Sequence, residues 1–130
     1  MTFEELQKFR VFSLENNEMW LANDYEELSE LFIALDADDS LFSDLMQSTG
    51  LKDKNGVEIF ENDIIRFDNG PDGFLNQVIF DKQFCAFKFK SLDNRWDDTY
   101  FSNFGEDTLR NLEVIGNIYE NPDLLERVEE

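Results

Sequence analysis

Carboxylates are the abundant side chains of this sequence that could take part in catalysis or in metal binding. Its 130 residues include 30 Asp and Glu but no histidine. Without histidine, Ser-His-Asp and Cys-His nucleophile pairs and most zinc sites are excluded. Asp and Glu alone still suffice for glycosidic-bond hydrolysis or for a Mg²⁺ or Mn²⁺ site, because both need only carboxylates brought together in space. A carboxylate enzyme with a divalent ion is therefore one of three hypotheses.

The sequence from Asp36 to Gln47 begins with the acid spacing of a calcium-binding loop. Such a loop needs glycine at its sixth position and a bidentate glutamate at its twelfth. Leu41 and Gln47 occupy these positions, so an EF-hand is excluded. No glycine pattern matches a phosphate-binding loop either. We assign no catalytic, cofactor-binding or metal-ligating residue, and we expect no cofactor.

The acids are concentrated in a segment without basic residues. The formal net charge is −19, and no Lys or Arg occurs between Arg10 and Lys52. A field of this sign repels phosphate backbones, so direct nucleic-acid binding is not expected. The segment predicts instead a surface that binds a protein partner. The acids expected on this surface are Glu26, Glu27, Glu30, Asp36, Asp38 and Asp39.

Aromatic residues offer a second kind of binding surface. A platform for a peptide or a base could be built from Trp20, Trp96, Tyr100, Phe101 and Phe104. In a small domain with 14 Phe, however, aromatic residues more often belong to the core. We therefore expect core positions for most of them, with WDDTYFSNF as the stretch to examine for exposed rings.

The N-terminal part of the sequence predicts a β-hairpin followed by a helix. Alternating apolar and polar residues at 8–14, a turn at ENNE and the run MWLA predict an N-terminal β-hairpin. Asp24 and Glu27 have the spacing of a capping box. Apolar residues then recur at helical intervals, at Leu28, Leu31, Phe32 and Leu35. The sequence therefore predicts an amphipathic helix from Tyr25 to Leu35.

From Thr49 onward the sequence predicts short strands joined by tight turns. Asn55-Gly56 is typical of type I′ hairpin turns, in which both central residues need positive φ. The predicted strands are DIIRF (63–67), QVIFD (77–81), FCAFKF (84–89) and LEVIGNIYE (112–120), with turns at DNGPDG and SLDNRWDD. Asn121, Pro122 and Asp123 have the order of a helix start. Cys85 lies in an apolar run, so a buried, inert thiol is expected.

These elements predict an α+β fold that is mainly β. We expect a small curved antiparallel sheet or a partly open barrel of SH3-like size, with two or three short helices. One domain over 1–130 is expected from the length, with the hairpin and acidic helix in 1–48, a β-rich core in 49–120 and a C-terminal helix in 121–130. No stretch reaches the roughly 20 apolar residues of a membrane span, which favours a cytoplasmic protein.

Three stretches resemble the YopX family of phage and prophage proteins. MQSTGLKDKNGVEIFENDIIRF (46–67) is similar to the family's TGLKDKNG segment and the Ile-aromatic-Glu-Gly-Asp-Ile stretch that follows it. VIGNIYENPDLL (114–125) is similar to the closing segment, and FRVFSLENNEMW to the opening. The family's Gly is replaced by Asn62, which tolerates left-handed geometry and should preserve the turn. The resemblance implies a phage or prophage origin and a mainly β fold with short helices, but no reaction.

The leading hypothesis is a phage accessory protein of the host cytoplasm that binds a host or phage protein and catalyses nothing. A second hypothesis is a nucleic-acid mimic that blocks a host defence protein, such as a restriction or CRISPR effector. Duplex DNA carries one charge per about 1.7 Å, so a mimic must present carboxylates in dense rows. A homo-oligomer is compatible with either hypothesis.

Overall fold

The computed structural model describes residues 8–67, 75–92 and 98–126. The chain divides into two compact units, Met1–Ser48 and Thr49–Glu130. The prediction of a mainly β fold with a curved antiparallel sheet and short helices is confirmed. The predicted turn DNGPDG, most of SLDNRWDD, Trp96 and the chain after Glu126 lie outside the described residues.

The first unit contains the predicted hairpin and the predicted acidic helix. Its elements are β1 (Phe9–Ser13), β2 (Glu18–Leu21), α1 (Tyr25–Ala37), a 3₁₀ helix (Asp39–Leu41) and the start of β3 (Met46–Lys52). Strand β1 pairs antiparallel with β2, where Val11 faces Trp20, and with β3, where Arg10 faces Met46. Both predictions are confirmed, although the helix extends two residues beyond Leu35.

Helix α1 begins at the predicted capping box. The Glu27 amide donates to Asp24 Oδ1 at 2.7 Å, and the Asn23 amide donates to Glu27 Oε2 at 3.3 Å. The first bond satisfies an amide that a helix start otherwise leaves without a partner, and the second ties Glu27 to the residue before the N-cap. Leu31 is buried against Val11 and Ala22, and the partly buried side chains around this core are Phe9, Trp20, Leu28, Leu35 and Phe42.

The second unit is built on a five-stranded antiparallel sheet. Its elements are the rest of β3, β4 (Glu58–Phe60), β5 (Asp63–Arg66), β6 (Leu75–Asp81), β7 (Ala86–Ser91), β8 (Thr99–Tyr100), a 3₁₀ helix (Phe101–Asn103), α2 (Glu106–Arg110), β9 (Glu113–Asn117) and α3 (Asp123–Glu126). The strand order is β8-β7-β6-β5-β9. The register of β5 with β9 shifts between Ile64, which faces Gly116, and Ile65, which faces Val114. Such a bulge increases local twist, which accords with the curl of the sheet.

Aromatic rings fill the core of the second unit. The buried side chains of this core are Ile59, Ile65, Val78, Phe89, Phe101 and Leu112. Phe89 stacks on Phe101 with ring centroids 4.0 Å apart, and Phe104 lies edge-on to Phe89 at 5.4 Å. Tyr100 is only half-buried. Phe101 and Phe104 therefore belong to this core and Trp20 to the core of the first unit, as the composition favoured.

The predicted strand 84–89 begins two residues too early, and the predicted burial of Cys85 is wrong. Strand β7 begins at Ala86, and Cys85 is exposed in the preceding turn with φ of 51°. The Asp81 carboxylate accepts from the Gln83 and Phe84 amides at 2.9 and 3.3 Å. This Asx-type bonding turns the chain directly after β6, so Phe84 and Cys85 fall in the turn despite their apolar character.

The type I′ prediction for Asn55-Gly56 is wrong, although a turn does join β3 to β4. Gly56 has φ of 81°, whereas Asn55 is not among the residues with positive φ. The Gly56 amide donates to Asp53 O at 3.0 Å, so Lys54 and Asn55 are the central residues of the turn. The left-handed geometry expected at Asn62 is confirmed by its φ of 68°.

Strand β9 ends at Asn117, earlier than predicted, because Asn117 and Asn121 reorganise the backbone. Asn117 Oδ1 accepts from the Tyr119 and Glu120 amides at 3.0 and 2.8 Å. Asn121 Oδ1 accepts from the Asn117 amide at 3.2 Å, so this side chain faces back toward β9. The C-terminal helix is confirmed, but its described turn begins at Asp123.

Gly116 is expected to be intolerant of any side chain. A Cβ at this position would lie 2.6 Å from Asn121 Cγ. We expect Gly116→Ala to lower the free energy of unfolding by about 1–3 kcal/mol, measured by urea denaturation, because Asn121 must leave its hydrogen bond. Gly105→Ala is the matched control, since nothing lies within 4 Å of its added Cβ. Equal midpoints for the two variants would contradict the packing argument.

Candidate functional site

The structure distributes the six predicted partner-binding acids over α1 and the turn after it. Glu26, Glu30 and Asp36 are exposed on the helix, and Asp38 and Asp39 are exposed just beyond its end. Glu27 is half-buried and serves the capping box. The acids therefore do not form one uniform row.

Asp38 is committed to a local structural role. Its Oδ1 accepts from the Ser40 hydroxyl at 2.6 Å and from the Ser40 amide at 3.1 Å. These two hydrogen bonds, the hydroxyl one foremost, hold the pKa of Asp38 below its ordinary value. Asp38 thus ends α1 and starts the 3₁₀ helix, which the amino-acid pattern alone did not reveal.

The exposed apolar residues of α1 form a surface that sequence reasoning missed. Tyr25 is 54% exposed, Phe32 44% and Ile33 67%. Because residues seven or eight positions apart lie on one side of a helix, these three side chains share a face. We call Tyr25, Phe32 and Ile33 the apolar face of α1. They border a hollow of about 450 Å³ that is also lined by Leu28, Ser29 and Asp36.

A second hollow lies between β2 and α1. Its volume is about 280 Å³, and it is lined by Trp20, Leu21, Ala22, Glu27, Glu30 and Leu31. The Trp20 ring contacts Phe42 with centroids 5.1 Å apart, and its indole Nε1 donates to Glu18 Oε1 at 3.0 Å. We call this hollow the Trp20 cleft.

One cluster of charged and polar groups in the second unit joins neighbouring strands of the five-stranded sheet. Tyr100 Oη donates to Asp81 Oδ2 at 2.7 Å, and Lys88 Nζ lies 3.5 Å from Asp81 Oδ2 and 3.6 Å from Asp98 Oδ2. The hydrogen bond between the Tyr100 hydroxyl and the Asp81 carboxylate lowers the pKa of Asp81 and raises the pKa of Tyr100. This cluster cross-links β6, β7 and β8, which is a sufficient structural role for these side chains.

Within residues 8–67, 75–92 and 98–126, no group of three or more Cys, Asp or Glu is placed to hold a metal ion. No helix in the described part of the chain is long and apolar enough to cross a membrane.

The fold and the sequence together define a class: a small, mainly β protein with an acidic helical unit before its curved sheet. The chain belongs to the YopX family, described as YopX protein, whose match covers residues 8–126. The crystal structure of protein EF1440 from Enterococcus faecalis is similar, with a TM-score of 0.59 and 26% sequence identity. That similarity covers 92% of this chain and 98% of the other. No curated protein matches this chain.

Proposed function

We propose that this chain is a phage- or prophage-encoded accessory protein that acts in the host cytoplasm by binding a protein partner, without catalysis. The observation that carries the proposal is the apolar face of α1, where Ile33 is 67% exposed. A contiguous group of exposed apolar side chains is costly in water and marks interaction surfaces. Burial of such a face against a partner is the ordinary way to remove that cost.

The acids around this face indicate what kind of protein would bind. Glu26 and Asp36 are exposed on the same helix, and no Lys or Arg occurs between Arg10 and Lys52. Arg10 itself is buried. A partner with basic residues around an apolar contact would be attracted over a long range and then docked by apolar burial.

The apolar face also favours ordinary protein binding over nucleic-acid mimicry. A mimic needs dense, uninterrupted carboxylates. Here Tyr25, Phe32 and Ile33 lie on the helix that carries the acids, and Glu27 and Asp38 are used in capping. Mimicry and apolar docking predict different responses to the same substitutions, which makes the choice testable.

The test is affinity capture with the full chain from a bacterial host lysate, followed by titration of the captured protein. Ile33→Gln removes the most exposed apolar side chain of the face without changing charge, and we expect about tenfold weaker binding. Phe84→Gln is the matched control, because Phe84 is equally exposed, at 65%, but belongs to the second unit. It should bind as the unmodified chain does.

Three results would contradict the proposal. One is the absence of any stoichiometric partner across several growth conditions. Another is equal weakening by the two glutamine substitutions. The third is full binding by Ile33→Gln together with loss of binding on reversing Glu26, Glu30 and Asp39 to Lys, which is the outcome that mimicry predicts.

A further inference from the structure

The Trp20 cleft combines an apolar lining with carboxylates in a way that suits one long cationic side chain. Trp20, Leu21 and Leu31 supply apolar surface, and Glu27 and Glu30 lie one helical turn apart on α1. At about 280 Å³ the cleft falls just below the roughly 300–1,000 Å³ of small-molecule pockets. Its size therefore fits a single side chain better than a cofactor.

From this arrangement we infer that the Trp20 cleft binds an arginine side chain presented by the protein partner. The inference rests on the proposed function, because it names one residue type that the partner must carry. The aliphatic stem of arginine would cover Leu21 and Leu31, and the guanidinium would meet Glu27 and Glu30. The apolar part of the Trp20 cleft thus matches the arginine stem, and its two carboxylates match the guanidinium charge.

Arginine fits this lining better than lysine. Its planar guanidinium stacks on aromatic rings and loses less hydration on leaving water than an ammonium does. The Trp20 N–H already donates to Glu18, so the indole contributes ring surface to the cleft and needs no polar partner from the ligand.

Charge favours another protein over a second copy of this chain as the occupant. The chain carries a net charge of −19, so two copies repel each other. The same negative field attracts a basic partner. Charge complementarity therefore selects a cationic segment of another protein.

The experiment uses the ¹⁵N-labelled full chain and follows the Trp20 indole N–H by NMR. The chain has two tryptophans, so a Trp20→Phe variant assigns the signal. The probe is N-acetyl-arginine methylamide, and the matched control is the citrulline compound, which has nearly the same shape without the charge. We expect a saturable shift with the arginine probe and affinity at least about fivefold weaker for citrulline.

Two variants separate a local site from the general negative field. Glu30→Gln should weaken binding of the arginine probe by about threefold to fivefold. Glu26→Gln removes the same charge from the same helix outside the cleft, so it should leave binding within about 1.5-fold. No saturable shift, equal shifts with citrulline, or equal weakening by Glu26→Gln would each overturn the inference. None of these results depends on Ile33→Gln, so the proposed function stands or falls separately.

Discussion

Replacing Asp53 by Ala is expected to lower the free energy of unfolding by about 3 kcal/mol, because it removes the acceptor of three backbone amides. Asp53 is only 6% exposed. Its Oδ1 accepts from the Asn55 and Val57 amides at 2.8 and 2.9 Å, and its Oδ2 accepts from the Val114 amide at 2.9 Å. One carboxylate thus fixes the β3–β4 turn and joins it to β9.

Urea denaturation of the full chain measures this effect, with Asp53→Asn as a second variant. Asparagine keeps one carbonyl oxygen, so it should retain part of the stability, whereas its NH₂ group cannot accept from an amide. Asp107→Ala is the matched control in the same unit, because Asp107 is exposed in the first turn of α2. It should cost no more than about 1 kcal/mol. Equal costs at the two positions would contradict the assigned role of Asp53.

The hydrogen bonds of Asp53 also explain the structural role of the TGLKDKNG stretch. Thr49 Oγ1 donates to Ile59 O at 2.8 Å, Gly56 has φ of 81°, and Asp53 accepts the amides of the turn. These residues build a turn and anchor it to the sheet. The part of the chain that resembles the family most specifically therefore explains the scaffold, while the acidic helix lies outside that stretch.

Local signals predicted those parts of the fold that local bonding determines. The capping box of Asp24 and Glu27 correctly placed the start of α1, and Asn62 correctly indicated left-handed backbone. The turn at Asp53 shows where such reasoning stops. Asn55-Gly56 suggested a type I′ turn, but the side chain of Asp53 imposes another geometry, and its third partner, Val114, is 61 residues away in sequence. No dipeptide rule contains that contact.

The candidate site was predictable in its charge but not in its apolar part. The distribution of charges along the sequence indicated an acidic segment without Lys or Arg, and Glu26 and Glu30 are exposed on α1. Helical spacing placed Phe32 with the core residues Leu28 and Leu31, whereas Phe32 is 44% exposed. The apolar stripe of α1 is wider than the core that covers it. How much of a stripe is covered depends on the neighbouring elements, which periodicity does not specify.

The run FCAFKF offers the sharpest contrast between sequence and structure, because its first and last phenylalanines look alike in the sequence. Phe84 is 65% exposed, whereas Phe89 is fully buried. Phe89 contacts Phe67, Phe101 and Phe104 with centroids 4.8, 4.0 and 5.4 Å away. Phe89→Ala is expected to lower the free energy of unfolding by about 3–5 kcal/mol, through lost burial and the cavity left behind.

Phe84→Ala should change the free energy of unfolding by less than about 0.5 kcal/mol, because its ring stays largely in water. Both variants are measured by urea denaturation, with near-ultraviolet circular dichroism reporting the packing of the aromatic core. Similar costs for the two would mean that Phe84 is also packed in the folded protein, which would contradict its 65% exposure. A large cost at Phe89 alone is the expected result, because the turn that Asp81 stabilises after β6 leaves Phe84 outside the core and β7 carries Phe89 into it.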